Sequence, residues 1–360
     1  MTTQEILAKD GSFERKDLLA LLSVTEPDEL AVIYRAAHEL KLRELGPKVY
    51  FRGLVELSNI CSKDCLYCGI RRSNELLVRY QMKEDEIVES ALWAHEHRYG
   101  SVVLQSGEQT GEKFVSMIVR VLKRIKEGSE GKLGVTLCLG EQSPETYRRW
   151  FEAGAHRYLL RIETSNPELY GKLHPSNHSF EARLACLGQL REIGFQVGTG
   201  VMIGVPGQSL DDLAGDILFF KSQDIDMIGM GPYLVHEDTP LASKMPGFAG
   251  RKEEQLTLGL KMIAVTRLFL RDVNIASTTA LQALRNDGRE LGILAGANVI
   301  MPNITPVKYR EAYQLYEGKP CLDEDPLRCS GCLARRIDSI GAEIGWGEWG
   351  DSPHAKRRGR

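Results

Sequence analysis

The sequence has no apolar run that reaches the ~18 residues a membrane span requires. It has no excess of positive charge either. The balance of Lys and Arg against Asp and Glu is 46 − 49 = −3, so no basic field points to nucleic acid. The opening MTTQEILAKDG is polar and lacks the apolar stretch of a secretory leader, so the expected compartment is the cytoplasm. No Pro-, Gly- or Ser-rich linker divides the chain, and no repeat recurs at a fixed longer period. With 42% hydrophobic and 26% charged residues, a disordered or fibrous chain is excluded. What remains is a globular protein with ample length for a large core.

Cysteine is present, and it is clustered. Six of the eight cysteines fall in two tight groups, Cys61, Cys65 and Cys68, then Cys321, Cys329 and Cys332. Disulfides are rare in a reducing compartment, so clustering there favours metal. Cys138 and Cys186 stand alone and read as small buried hydrophobes.

Residues 1 to about 46 carry apolar residues at helical spacing until Gly46-Pro47 breaks the pattern. Strands and helices then alternate. The expected strands are VYFRGLVELS, SVVLQ, LGVTLCL, HRYLLRIE, QVGTGVMIG, DMIGMGP, NIASTT and NVIMP. Eight such units predict an α/β fold, a (β/α)₈ TIM-type barrel, with a doubly wound open sheet as the other arrangement. The expected organisation is a helical segment over 1–46, a barrel over 47–305 and a C-terminal extension over 306–360 that carries the second cysteine group. The basic end, HAKRRGR, reads as a solvated, frayed tail.

In a barrel the chemistry sits at the carboxyl ends of the strands. The residues falling there are NICSKDCLYCG, Gln105-Ser106-Gly107-Glu108, Thr136 and Glu141, Arg161 and Glu163, GTGVMIGVPG, Gly231-Pro232, Thr278-Thr279 and Met301-Pro302-Asn303. Turn-rich strand ends explain the glycines, but less well two charges inside an apolar strand. Burying a lone carboxylate costs several kcal/mol, so Glu163 needs a cation or several donors beside it. His95 and His97 read as surface residues, and His156, His174 and His236 have no metal partners close in sequence.

The strongest signal is Cys61-x₃-Cys65-x₂-Cys68 with Tyr67 before the last cysteine. Three thiolates on one short loop can hold three irons of a cubane cluster, with the fourth open to a small molecule. Zinc would want a fourth Cys or His, and none lies nearby in sequence.

This signature, placed after the first strand of a β/α barrel, resembles the radical SAM superfamily. Gln105-Ser106-Gly107-Glu108 resembles that family's strand-two motif, usually Gly-Gly-Glu, with Ser106 in place of the first glycine. GVMIGVPGQS resembles its glycine-containing motif near the adenine. At finer grain NICSKDCLYCGIRRSN, RYLLRIETSNPELYGKLHP, MIGMGPYLVHEDTPLA, GANVIMPNITP and YREAYQLYEGKPC are similar to the HydE-type maturases of [FeFe]-hydrogenase, relatives of biotin synthase and methylornithine synthase.

The resemblance implies a [4Fe–4S] cluster on Cys61, Cys65 and Cys68, with S-adenosylmethionine (SAM) on the open iron. Gln105, Ser106, Glu163, Arg183, Pro232 and Met301 would contact the cofactor, Arg183 as a fork on the methionyl carboxylate. Without the resemblance Arg183 reads as an exposed helical arginine. Arg161, Thr136, Thr278, Thr279, Tyr313 and Tyr316 would be the catalytic, substrate-side residues of a deeper polar cavity. The implied partners are a small organometallic or cysteine-derived substrate, an electron donor such as a ferredoxin or flavodoxin, and other hydrogenase maturases. Neither nucleic acid nor membrane is among them. The alternatives are a methylornithine-synthase-like or other small-molecule radical enzyme, or a non-catalytic iron–sulfur carrier. A carrier has no use for a cofactor cradle of Glu163 and Arg183. Cys321-x₇-Cys329-x₂-Cys332 would hold an accessory [2Fe–2S] or [4Fe–4S] cluster, as the same spacing does in some members of that family.

Overall fold

A strand covered on both faces alternates between side chains that meet the helices and side chains that point to the interior. The computed structural model describes residues 2–244, 247, 250–323 and 326–359, apart from the side chains of 326–330. It contains β1 (Lys48–Ser58), β2 (Ser101–Ser106), β3 (Gly134–Cys138), β4 (Arg157–Leu159), β5 (Gln196–Thr199), β6 (Met202–Ile203), β7 (Met227–Ile228), β8 (Gly231–Pro232), β9 (Asn274–Ile275), β10 (Val299–Ile300) and β11 (Glu343–Ile344). The sheet runs β10-β1-β2-β3-β4-β5-β7-β9, every neighbour parallel.

Its two ends meet. Ala276 bridges Val299, Ser277 N–H donates to the Val299 carbonyl at 2.8 Å, and Asn298 N–H donates to the Ile275 carbonyl at 2.9 Å. Eight strands in chain order thus curl into a TIM-type barrel, and the open doubly wound sheet is excluded. The fifth and sixth predicted strands are each interrupted, and their outer halves, β6 and β8, pair separately.

The alternation separates core from site. Val49, Phe51, Val55 and Leu57 of β1, Val102 and Leu104 of β2, and Val135 and Leu137 of β3 join the main core between sheet and helices. Tyr158, Leu160 and Ile162, on and just past β4, do the same. The residues between them, Arg52, Glu56, Thr136, Cys138, Arg157, Arg161 and Glu163, fall on the opposite, interior face. A barrel whose interior positions are charged must satisfy them with partners or ligand.

Three helices, Thr3–Leu7, Arg15–Ser23 and Pro27–Leu45, precede the barrel. Pro27 sits in the first turn, where its missing N–H is no loss. Gly46, at φ +77°, ends the last helix, which lies along the helix Lys252–Leu270.

The chain's end departs from expectation. β11 pairs with the start of β1, and the residues after it cross the floor of the barrel. Arg52 and Asn274 donate to the Gly350 carbonyl at 2.9 and 2.8 Å. Arg157 donates to the Trp349 carbonyl at 2.9 Å and to Asp351 at 2.7 Å. The helix Pro353–Arg357 then docks, with His354 on Asp224 at 2.6 Å and Arg358 on Asp224 and Asp226. Residues 353–358 of the basic tail are therefore docked and not frayed. Its positive charges neutralise acidic groups under the barrel, a pairing over more than a hundred residues that local sequence does not display.

Candidate active site

The loop after β1 is wound tightly by its own polar groups. Arg79 donates to the carbonyls of Asn59, Ile70, Arg71, Arg72 and Asn74. Asp64 accepts from Arg71 at 2.9 Å and from the Ser73 backbone and hydroxyl at 3.1 and 2.7 Å. A guanidinium that gathers five carbonyls fixes the path of the loop and so the spacing of its thiols. The end of β2 presses onto this loop. A Cβ at Gly107 would stand 2.4 Å from the Ile60 carbonyl oxygen and 2.7 Å from the Cys61 Cβ, so only glycine fits there.

Cys61, Cys65 and Cys68 are all free and half-buried. The Cys61 sulfur accepts the backbone N–H of Lys63 at 3.4 Å and of Glu108 at 3.3 Å. Burial pushes the Cys65 thiol up to about 12 and lifts Cys68 well above its usual range, and the neighbouring thiols add to both shifts. Three acids that resist ionising together call for a cation among them, and this donor set fits a thiolate-ligated iron cluster.

Around the thiols lies an array of buried and half-buried ions. Arg161 forks onto Glu163 at 2.9–3.1 Å and donates to the Gly229 carbonyl at 2.6 Å. Here is the cation that Glu163 required. Glu163 itself is at φ +67°, a left-handed conformation uncommon outside glycine. Its backbone is held by bonds to Gly200 at 3.0 Å and Met202 at 2.9 Å.

Arg183 is 8% exposed, so it is not an exposed helical arginine. Its Nε donates to Glu141 at 2.5 Å, one Nη to the Arg161 carbonyl at 2.8 Å and the other to His178 Nε2 at 2.9 Å. Glu141 also accepts from Lys63 at 2.8 Å, and its N–H donates to Glu108 at 2.8 Å. Burial opposes ionising Glu141, yet its neighbours His178, Arg183 and Lys63 together hold its carboxyl below the usual range. Burial pushes Glu108 up.

The substrate-side residues are distributed around the same interior. Gln105 donates to the Tyr313 hydroxyl at 3.1 Å. Thr136 accepts from Arg157 at 2.9 Å and, with Met301 and Arg52, lines a small interior cavity. Thr278 Oγ1 is buried without a hydrogen-bond partner among the described residues and would lie 2.7 Å from a Cβ at Gly231, beside Pro232. Thr279 accepts from Arg289 at 2.9 Å. Burial raises Tyr316, which also feels the charges of Arg289, Glu56 and Arg161. The Ser106 hydroxyl donates to the neighbouring Gly107 carbonyl at 2.6 Å.

The second cysteine group is described in part. Cys321 and Cys332 both lie within charge range of Arg336, which is paired with Glu290. The side chain of Cys329 lies outside the described residues.

Several site residues were not legible in the sequence. Glu56 faces the interior from β1 and is held by Asn303 at 3.0 Å and by Lys319. Its inner position on a period-two strand was the available signal. Lys63, Glu108 and Glu141 stand at the strand ends where the sequence placed them but without a role assigned, and His178 joins through space only. Cys138 is half-buried and within range of Arg161 and Glu163, so it lines the site and is not a core hydrophobe, whereas Cys186 is buried as expected. His174, without partners in its local sequence, stands with His178 beside Cys65. Among the described residues no helix is long and apolar enough to cross a membrane.

Residues 55–220 match the Radical SAM superfamily, from within β1 to the helix after β6. The chain belongs to the radical SAM superfamily, whose members carry a [4Fe–4S] cluster and SAM. It is 45% identical over 352 residues to the [FeFe] hydrogenase maturase subunit HydE of Thermotoga maritima, covering 97% of both chains. It is 27% identical over 334 residues to the 3-methylornithine synthase of Methanosarcina acetivorans, covering 91% of this chain and 89% of that one. Its fold is that of the crystal structure of methylornithine synthase (PylB), with a TM-score of 0.81 at 24% identity over 96% of this chain and 98% of that one.

Proposed function

We propose that this protein is a HydE-type maturase that cleaves SAM reductively and directs the 5′-deoxyadenosyl radical at a small molecule destined for the diiron subcluster of [FeFe]-hydrogenase. The observation that carries this reading is the meeting of three thiols, the Arg161–Glu163 pair and the buried Arg183 guanidinium at one mouth of a polar barrel. The full-length likeness to a HydE subunit supports the particular role.

When bound, the cluster and SAM supply the electron and the radical chemistry. The chain's own groups bind and orient. Arg183 takes the methionyl carboxylate in its fork, a contact that Glu141 makes at 2.5 Å in the structure. Glu163, fixed by Arg161, faces the positively charged part of the cofactor, and Gln105, Ser106, Pro232 and Met301 complete the cradle. Arg161, Thr136, Thr278, Thr279, Tyr313 and Tyr316 hold an anionic organometallic or cysteine-derived substrate. Enclosure in the barrel excludes water and stray hydrogen donors. The half-buried cysteine loop gives a ferredoxin or flavodoxin a place from which to reduce the cluster. Cys321, Cys329 and Cys332 hold an accessory [2Fe–2S] or [4Fe–4S] cluster that the SAM chemistry does not use. The setting is the cytoplasm, alongside other hydrogenase maturases.

The test is anaerobic reduction of the reconstituted protein with SAM and assay for 5′-deoxyadenosine, together with maturation of an [FeFe]-hydrogenase in an extract that depends on the added protein. Wild type should pass both, and Cys65→Ser should fail both. Wild-type cofactor cleavage by Cys65→Ser would refute the cluster assignment. Cleavage without maturation would refute the hydrogenase role alone.

A further inference from the structure

Two buried imidazoles beside Cys65 have no part in the reading above. Between the helices Pro167–Leu173 and Phe180–Ile193 the chain carries His174 and His178, 3% and 6% exposed. The Cys65 sulfur and one ring nitrogen of each lie within 4.8 Å of one another. The two rings meet edge to face with centroids 4.6 Å apart, and Tyr170 stacks on His174 at 3.9 Å.

Their partners locate the ring protons. His174 Nδ1 is 2.9 Å from the Tyr170 carbonyl, which only accepts, so the proton is on Nδ1. Nε2 then accepts from the hydroxyl of Tyr67, the aromatic residue inside the cysteine motif, at 3.3 Å. His178 Nε2 is 2.9 Å from Arg183 Nη2, and a guanidinium only donates. Nε2 therefore accepts, and the proton of His178 is on Nδ1. Glu141 is farther away, at 3.4 Å, and is already served by Arg183 and Lys63. His178 Nδ1 is buried and has no hydrogen-bond partner among the described residues. A buried N–H without an acceptor carries an uncompensated desolvation penalty.

We propose that His178 is a positioning residue of the cluster, its Nδ1–H donating to the sulfur of Cys65 once that thiolate binds iron, while its Nε2 holds Arg183. The inference rests on the cluster reading above. A hydrogen bond to a ligating sulfur draws charge from it and makes the cluster easier to reduce. The same ring then ties the potential of the cluster to the residue that receives the methionyl carboxylate. His174 acts one step away by fixing Tyr67.

The experiment uses the full-length, iron-reconstituted protein. In His178→Ala the midpoint potential, read by EPR titration without SAM, should move to more negative values, and SAM should bind roughly tenfold more weakly. His178→Gln, whose amide accepts from Arg183 and donates to sulfur, should restore both. In wild type labelled with nitrogen-15 histidine, pulsed EPR of the reduced cluster should show a histidine nitrogen coupling that is lost in His178→Ala. The wild-type half of this measurement needs no variant to fold. An unchanged potential with weakened SAM binding would mean that His178 acts only through Arg183 and would overturn the sulfur bond. A missing nitrogen coupling in wild type would overturn it as well. Stoichiometric zinc in the purified protein, lost in His178→Ala, would make Cys65, His174 and His178 a zinc site instead. Absence of any reduced-cluster signal in wild type would remove this proposal together with the cluster reading and is recognised by that missing signal.

Discussion

Replacing Arg183 by methionine keeps most of the side chain's length and removes its charge. Three contacts disappear: Glu141 at 2.5 Å, the Arg161 carbonyl at 2.8 Å and His178 at 2.9 Å. Glu141 is left part-buried with Lys63 as its remaining close cation, at 2.8 Å. Breaking one side of a buried ion pair costs about 3–5 kcal/mol, so the melting temperature of Arg183→Met should fall clearly. If Arg183 also receives the methionyl carboxylate, one lost charge-assisted bond of about 1.5–3 kcal/mol weakens SAM binding at least tenfold. The two effects separate in the double variant Arg183→Met, Glu141→Gln. Removing the stranded carboxylate should recover much of the stability and none of the affinity. Thermal melting gives the first quantity, and isothermal titration of SAM into the reconstituted protein gives the second. An unchanged SAM dissociation constant in Arg183→Met, or wild-type affinity in the double variant, would refute the assignment of Arg183 to the cofactor.

Three further outcomes follow from other parts of the molecule. A Cβ at Gly100 would stand 1.6 Å from the Glu348 carbonyl oxygen, so Gly100→Ala should push the floor segment away. The expected loss is about 1–3 kcal/mol, with faster proteolysis within residues 340–359, and unchanged melting and cleavage would contradict it. Burial pushes Asp216 up to about 7, with one oxygen accepting from Ser165 N–H at 2.6 Å and the other without a partner among the described residues. A carboxyl whose folded pKa is raised loses stability as pH rises from its unfolded value near 3.9 toward 7, by up to about 4 kcal/mol. Asp216→Asn should therefore raise the melting temperature at pH 8 and leave it nearly unchanged at pH 4, and an equal change at both would be the wrong sign of dependence. Changing Cys321, Cys329 and Cys332 together to alanine should lower bound iron and spare 5′-deoxyadenosine production, and loss of that production would join two sites that are read here as separate.

What the sequence discloses is what is local. The eight strands were legible because an outer face of Val, Leu, Ile and Tyr alternates with inner residues over a few positions. The cysteine loop was legible because its three thiols are seven residues apart at most. The pair Arg161 and Glu163 was legible because positions two apart in the extended segment that continues β4 share a face. Glu56 with Lys319, 263 residues apart, and Arg157 with Asp351, 194 apart, were not, because each looks like an ordinary charge until the barrel brings the partners together. Cys138 was misread for a related reason. Its apolar neighbours in LGVTLCL face the helices, but a shift of one residue turns a side chain to the other side of the sheet.

The barrel's ring of strands also orders events during synthesis. β1 carries the cysteine loop, and its second edge is covered by β10 and β11, which the ribosome makes last. At about 5–20 residues per second, the chain between the end of β1 and β10 takes on the order of ten seconds or more to appear. Throughout that interval β1 keeps an open edge and the loop hangs on an unfinished ring. The three thiols thus stand on the chain before the floor and the far wall exist. Delivery of iron to an emerging chain meets a wider entrance than delivery to the finished fold.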